Sequence, residues 1–184
     1  MSLTLAMHLV SLFHNMGKGY FRGEDYPRAI RAFERALEIK TDKQNARKGL
    51  GDVYAELAFQ HVEKNRHDVA IEAYRQALDF NPDDRLARIS LGWLFYNQDR
   101  WSEAIDQHRF ALEQEVDADA QFALGLAYLA NGNYKAAQTI YAEGIRLFGG
   151  AETQRVGALQ NLDALIKKHE ENIFARKIGM TYWP

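Results

Sequence analysis

The apolar positions of this chain come in blocks that recur. Ala29-Ile30-Arg31-Ala32-Phe33-Glu34-Arg35-Ala36-Leu37 returns as Ala70-Ile71-Glu72-Ala73-Tyr74-Arg75-Gln76-Ala77-Leu78, and more loosely over 104–112 and 137–145. Upstream of each block stands a glycine followed three residues later by an aromatic ring: Gly17 and Tyr20, Gly51 and Tyr54, Gly92 and Phe95, Gly125 and Tyr128. Each repeat therefore has two halves. Between the halves, Gly23-Glu24-Asp25-Tyr26, Asp99-Arg100-Trp101-Ser102 and Asn131-Gly132-Asn133-Tyr134 supply turn and N-cap residues. After Gly149-Gly150, Val156, Leu159, Leu162, Leu165 and Ile166 fall at helical spacing and predict a further amphipathic helix over 152–171.

These motifs resemble the tetratricopeptide repeat, a helix-turn-helix unit with a Leu-Gly-x-x-Tyr, Ala, aromatic, Ala, Pro pattern. A first unit at about 10–43 carries Met16, Gly17, Tyr20, Ala29, Phe33 and Ala36, and a second at about 44–84 carries Leu50, Gly51, Tyr54, Ala70, Tyr74, Ala77 and Pro82. A third at about 85–117 carries Leu91, Gly92, Phe95, Ala104 and Ala111, with His108 where the aromatic belongs. The fourth, about 118–151, carries Leu124, Gly125, Tyr128, Ala137 and Tyr141, with Gly144 in place of the last alanine. The resemblance implies an all-α, right-handed superhelical solenoid of antiparallel helix pairs over residues 1–151. Residues 152–184 would follow as a capping helix and tail. Small residues let paired helices approach, and aromatic rings fill the gaps between neighbouring units.

The second unit departs from this spacing. Gly51 to Ala70 is 19 residues where the other units have 12, so seven extra residues are read within Ala55–Asp68. Seven residues are almost two helical turns and nearly preserve helical phase, which predicts longer facing helices and a protruding hairpin.

The resemblance also implies where a ligand sits, because the second, fifth, ninth, twelfth and thirteenth positions of each unit line the concave face. At one end these include His14, Lys18, Phe21 and Arg22, then Asn45, Lys48 and Asp52, a polar wall of mixed charge. At the other they include Ile89, Trp93, Tyr96 and Asn97, then Phe122, Leu126 and Leu129, an apolar wall. An apolar face of this kind has to be covered. Its expected occupant is a short, partly apolar peptide or helix of a partner protein, anchored by Trp93, Tyr96 and Phe122. The alternative is self-assembly, with the groove filled by the chain's own tail, Ile173 to Trp183, or by a second copy. The family's two-carboxylate clamp for chaperone tails is not matched, since its places hold His14, Lys18, Gly49, Leu86 and Ser90.

Composition narrows the chemistry. With 47% hydrophobic and 12% aromatic residues the chain can build a core, and 23 Lys+Arg against 25 Asp+Glu leave no global field for nucleic acid or an anionic membrane. The absence of cysteine removes disulfides, thiolate metal sites and a cysteine nucleophile. Leu3 to Phe13 lacks the basic flank and cleavage signal of a secretory leader, and no apolar run reaches the roughly 20 residues of a membrane span. The expected compartment is the cytoplasm. No phosphate loop, nucleophile elbow or H-E-x-x-H motif occurs, and His61 and His67 are six apart, off the spacing of helical metal ligands. The acidic cluster Glu113, Glu115, Asp117 and Asp119 reads as a solvated junction, and Arg22, Arg28, Arg31 and Arg35 are interleaved with Glu24, Asp25 and Glu34. The expectation is a non-catalytic adaptor or assembly factor without cofactor or metal.

Overall fold

The computed structural model describes residues 3–39 and 43–155, the last six of these as backbone alone. Among the described residues there are eight α-helices and no strand: α1 Leu3–Arg22, α2 Tyr26–Glu38, α3 Gln44–Glu63, α4 His67–Phe80, α5 Arg85–Asn97, α6 Trp101–Gln114, α7 Ala118–Ala130 and α8 Tyr134–Arg155. The expected capping helix and tail lie beyond residue 155, outside the described residues. Gly149, at φ 72° and ψ 174°, breaks α8 where the paired glycines stand.

The chain forms two compact units, Met1–Ala87 and Arg88–Pro184. Within each, the helices of a hairpin (α1–α2, α3–α4, α5–α6, α7–α8) are joined by tight turns built to one recipe. Asp25, Arg66, Arg100 and Asn133 each donate their backbone N–H to the carbonyl five residues back, on Tyr20, His61, Phe95 and Tyr128, at 2.8–2.9 Å. The preceding residues, Glu24, Asn65, Asp99 and Gly132, bond three residues back and have φ of 58°, 54°, 58° and 78°. This double bond around a left-handed residue is the Schellman closure of a helix. The next helix is then capped by Asp25 accepting from Arg28 N and by Asn133 Oδ1 accepting from Ala136 N. Asp84 and Asp117 cap α5 and α7 in the same way.

The four turns also set the register of the second hairpin. In the other three, a glycine seven residues before the left-handed position faces an aromatic-type ring of the partner helix: Gly17 faces Phe33, Gly92 faces His108 and Gly125 faces Tyr141. Counting back seven from Asn65 gives Ala58, which is fully buried and lies 12 residues before Ala70, the spacing of the other pairs. Gly51 instead faces Ala77 and Asn81, near the far end of α4. So Ala58 and His61 occupy the Gly and Tyr places of this hairpin, while Gly49 and Gly51 serve the earlier half of α3. Only α3 is lengthened, to 20 residues; α4 keeps 14, like α6. The expectation of two longer facing helices is thus corrected to one. Seven residues correspond to about 10 Å of helix.

The core of the first unit centres on Tyr26, Ala29, Phe33, Leu50 and Val53, with a smaller cluster of Val10, Ala36 and Ala46. That of the second unit centres on Phe122, Leu126, Leu129, Ala137 and Tyr141.

Candidate functional site

In the first unit, α1 and α3 lie side by side over the ring of Phe33 from α2. A Cβ on Gly17 would come within 2.7 Å of that ring and one on Gly49 would also run into it, so both glycines are places vacated for it. Above the ring opens a cleft of about 420 Å³. Its walls are His14, Lys18, Phe21 and Arg22 on α1 and Asn45, Lys48, Gly49 and Asp52 on α3. Both sets follow helical steps of three and four, so each helix turns one stripe into the cleft.

The cleft is polar at its rim and aromatic at its base. Lys18, Arg22 and Lys48 are exposed, and none makes a salt bridge or hydrogen bond within the described residues. Neighbouring cations are committed elsewhere: Arg28 to Asp25, Arg35 to Glu38, and Arg47 to the Asp79 carbonyl and the face of Phe80. Asp52 is the one carboxylate in the walls. Burial raises its pKa, against the pull of nearby Lys48, and Asp84 adds to the rise. Phe33 stacks at a tilt on His14, ring centroids 5.6 Å apart, and Phe21 on Tyr26 at 6.1 Å.

Seven sequence-selected residues thus meet in one cleft: His14, Lys18, Phe21, Arg22, Asn45, Lys48 and Asp52. The other seven lie in the second unit, Leu129 among them and buried. Asn97 is exposed, Trp93 and Tyr96 are half-buried, and Ile89 is buried beside Ala111 and Ala120. Phe122 and Leu126, expected on an open face, are only 2% and 1% exposed. Gly144 leaves room on α8 for the Phe122 ring, which packs on Tyr141 and Phe148, and Leu126 joins the same cluster. Trp93 stands edge-on to both Tyr96 and His108. Burial and Asp99 raise the Tyr96 pKa. The sequence reading missed Phe33 and Gly49 as the cleft floor. Their signal was the Gly49-Leu50-Gly51 pair, of which only the second glycine was assigned a role.

No group of three or more His, Cys, Asp or Glu side chains among the described residues could hold a metal ion. No described helix is long and apolar enough to cross a membrane.

Antiparallel helix pairs closed by identical turns, with a side-chain-lined cleft between first helices, define a helical-repeat protein. Family models described as tetratricopeptide repeat match residues 8–83, 60–109 and 118–148. The chain belongs to the tetratricopeptide-repeat family, whose members hold other proteins. Among curated relatives, the uncharacterized protein ycf37 of Cyanophora paradoxa is 31% identical over 101 residues, covering 54% of this chain and 56% of that protein. Photosystem I assembly protein Ycf3 of Synechococcus sp. (strain CC9902) is 26% identical over 98 residues, covering 53% and 50%. The chain thus spans about half the length of these two relatives. Anaphase-promoting complex subunit CDC16 of Saccharomyces cerevisiae (strain ATCC 204508 / S288c) is 24% identical over 95 residues, 52% of this chain and 11% of that one. Among solved structures, a MamA protein (22% identical, TM-score 0.52, 96% of each chain) shares the fold. So does MamA 41-end from Desulfovibrio magneticus RS-1 (15% identical, TM-score 0.59, covering 95% of this chain and 93% of that one).

Proposed function

We propose that this chain is a non-catalytic adaptor or assembly factor that grips a short, partly apolar segment of a partner protein through the first helices of its hairpins. The observation that carries this reading is the α1–α3 cleft, whose rim holds Lys18, Arg22 and Lys48, exposed cations that make no salt bridge or hydrogen bond among the described residues. Side chains spent on packing alone would not be arranged this way, since exposed, unpaired cations over a phenyl ring contribute little to stability. The names of two relatives, a photosystem assembly protein and a subunit of a multiprotein complex, agree with an assembly role. Affinity capture from the native lysate, comparing wild type with the Arg22→Glu/Lys48→Glu variant, tests it. Partners should be lost from the variant while its far-UV circular dichroism stays unchanged. An identical set of captured proteins would overturn the assignment to this cleft.

A second reading, self-assembly, has its own observation. Leu5, Leu12 and Met16 of α1 are exposed, with half-buried Leu9 between them, and form an apolar stripe at steps of four, three and four. Light scattering distinguishes the two, because a monomer mass independent of concentration excludes self-assembly.

A further inference from the structure

We propose that α1 pairs antiparallel with α1 of a second copy of this chain, through Leu5, Leu9, Leu12 and Met16. This deepens the self-assembly reading and rests on it. The first observation is a comparison of equivalent places in the repeat. Five residues and one residue before the motif glycine, the second hairpin has Ala46 and Leu50 and the fourth has Ala120 and Leu124. All four are at most 3% exposed. The second helix of the preceding hairpin covers them: Ala46 packs with Ala36 and Leu50 with Phe33, both of α2, and Ala120 packs with Ala111 of α6. The same two places on α1 hold Leu12 and Met16, which are 53% and 39% exposed. So α1 leaves open a face that the repeat is built to bury.

The second observation is the spacing, which names the occupant. The stripe steps by four, three and four residues, the seam of a coiled coil, and this order reads the same in both directions. An antiparallel copy therefore meets it in register about a two-fold axis, with Leu5 set against Met16 and Leu9 against Leu12. Residues 3–17 contain no Asp, Glu, Lys or Arg, so the pairing buries none of these charges. A parallel copy would set Lys18 on Lys18 and Arg22 on Arg22 and align the helix dipoles. The antiparallel sense holds the two Lys18 about 22 Å apart along the axis, beyond the screening length at physiological salt. A lipid surface fits less well, because a helix lying on a membrane carries Lys or Arg along its polar face and this stretch has none. At about 100° per residue the stripe lies nearly opposite His14, Lys18 and Phe21, so the pairing leaves the α1–α3 cleft open.

Disulfide trapping in the full chain tests the geometry, since there is no native cysteine to interfere. Positions 5 and 16 of opposite copies would be neighbours. The two positions 5 would stand about 16 Å apart along the axis, and a disulfide needs Cα atoms within roughly 7 Å. An equimolar mixture of the Leu5→Cys and Met16→Cys chains should therefore give a linked dimer under mild oxidation, and either variant alone should not. Sedimentation equilibrium of the unmodified chain over roughly 1–200 µM should show the mass rising from 21.1 kDa towards twice that value, a range suited to so small an interface. Leu12→Glu should weaken the dimer at least about tenfold with unchanged far-UV circular dichroism, because it places an unpaired charge in the seam. Met7→Glu, at an exposed place off the stripe, should leave the mass curve unchanged. No cross-link in the mixture, cross-linking of either variant alone, or equal effects of Leu12→Glu and Met7→Glu would overturn the α1 pairing, while a rising mass would keep the self-assembly reading. A monomer mass at every concentration removes both, and co-pelleting of that monomer with phosphatidylserine vesicles assigns the stripe to a lipid surface instead.

Discussion

His108 stands where the first, second and fourth hairpins put Phe33, Tyr74 and Tyr141, and its ring is fully buried against the backbone of Gly92 and the edge of Trp93. Neither ring nitrogen has a hydrogen-bond partner among the described residues, and burial pushes the imidazole down to about 4. The unfolded chain, titrating near 6.5, therefore binds a proton that the folded chain refuses. Stability is complete above pH 6.5 and is lost as the pH falls from 6.5 towards 4, by about 3 kcal/mol over that window. Urea unfolding at stepped pH should show this slope, and His108→Phe should flatten it. The same variant should gain about 1–2 kcal/mol at neutral pH, because it removes two buried unsatisfied nitrogens and restores the ring that Gly17 and Gly125 accommodate elsewhere.

Each of the four turns needs one residue at positive φ, and the chain fills that place with Glu24, Asn65, Asp99 and Gly132. A left-handed conformation costs an ordinary L-residue about 1–2 kcal/mol and glycine almost nothing. Glu24→Gly is therefore expected to raise stability by about 0.5–1 kcal/mol and Gly132→Ala to lower it by about 1 kcal/mol, read from thermal midpoints. The turns also explain why the second hairpin was misaligned from sequence. Gly51 and Tyr54 copy the repeat motif, whereas Ala58 and His61, which occupy those places relative to the turn, do not look like Gly and Tyr. A small side chain was all that close approach required, and alanine meets that need.

Stability in a repeat array is the sum of unit stabilities and nearest-neighbour terms, so a defect is felt locally. Trp93 and Trp101 belong to the second unit, so with Trp183 replaced by phenylalanine the tryptophan fluorescence reports on that unit while circular dichroism reports on both. Gly49→Ala forces a Cβ into the Phe33 ring of the first unit and should destabilise it by about 1–3 kcal/mol. The early part of the circular dichroism loss should move to lower urea while the tryptophan midpoint stays. Equal shifts in both probes would show that the units unfold as one.

The order of amino acids alone determined the helices, their pairing and the family, because a small residue facing a ring at fixed spacing is written in local sequence. It also marked seven of the residues that line the cleft, since faces of a helix follow from its period. Exposure was decided only in three dimensions. Phe122 and Leu126 sit at positions expected on the open face, yet Gly144, 22 residues beyond Phe122 in sequence, lets α8 cover the first of them. The register of α3 against α4 was likewise settled by packing, because a seven-residue shift preserves helical phase and leaves the apolar pattern almost unchanged. Which cations remained uncommitted over Phe33 was also a tertiary matter, since it depended on the partners that Arg28, Arg35 and Arg47 found around them.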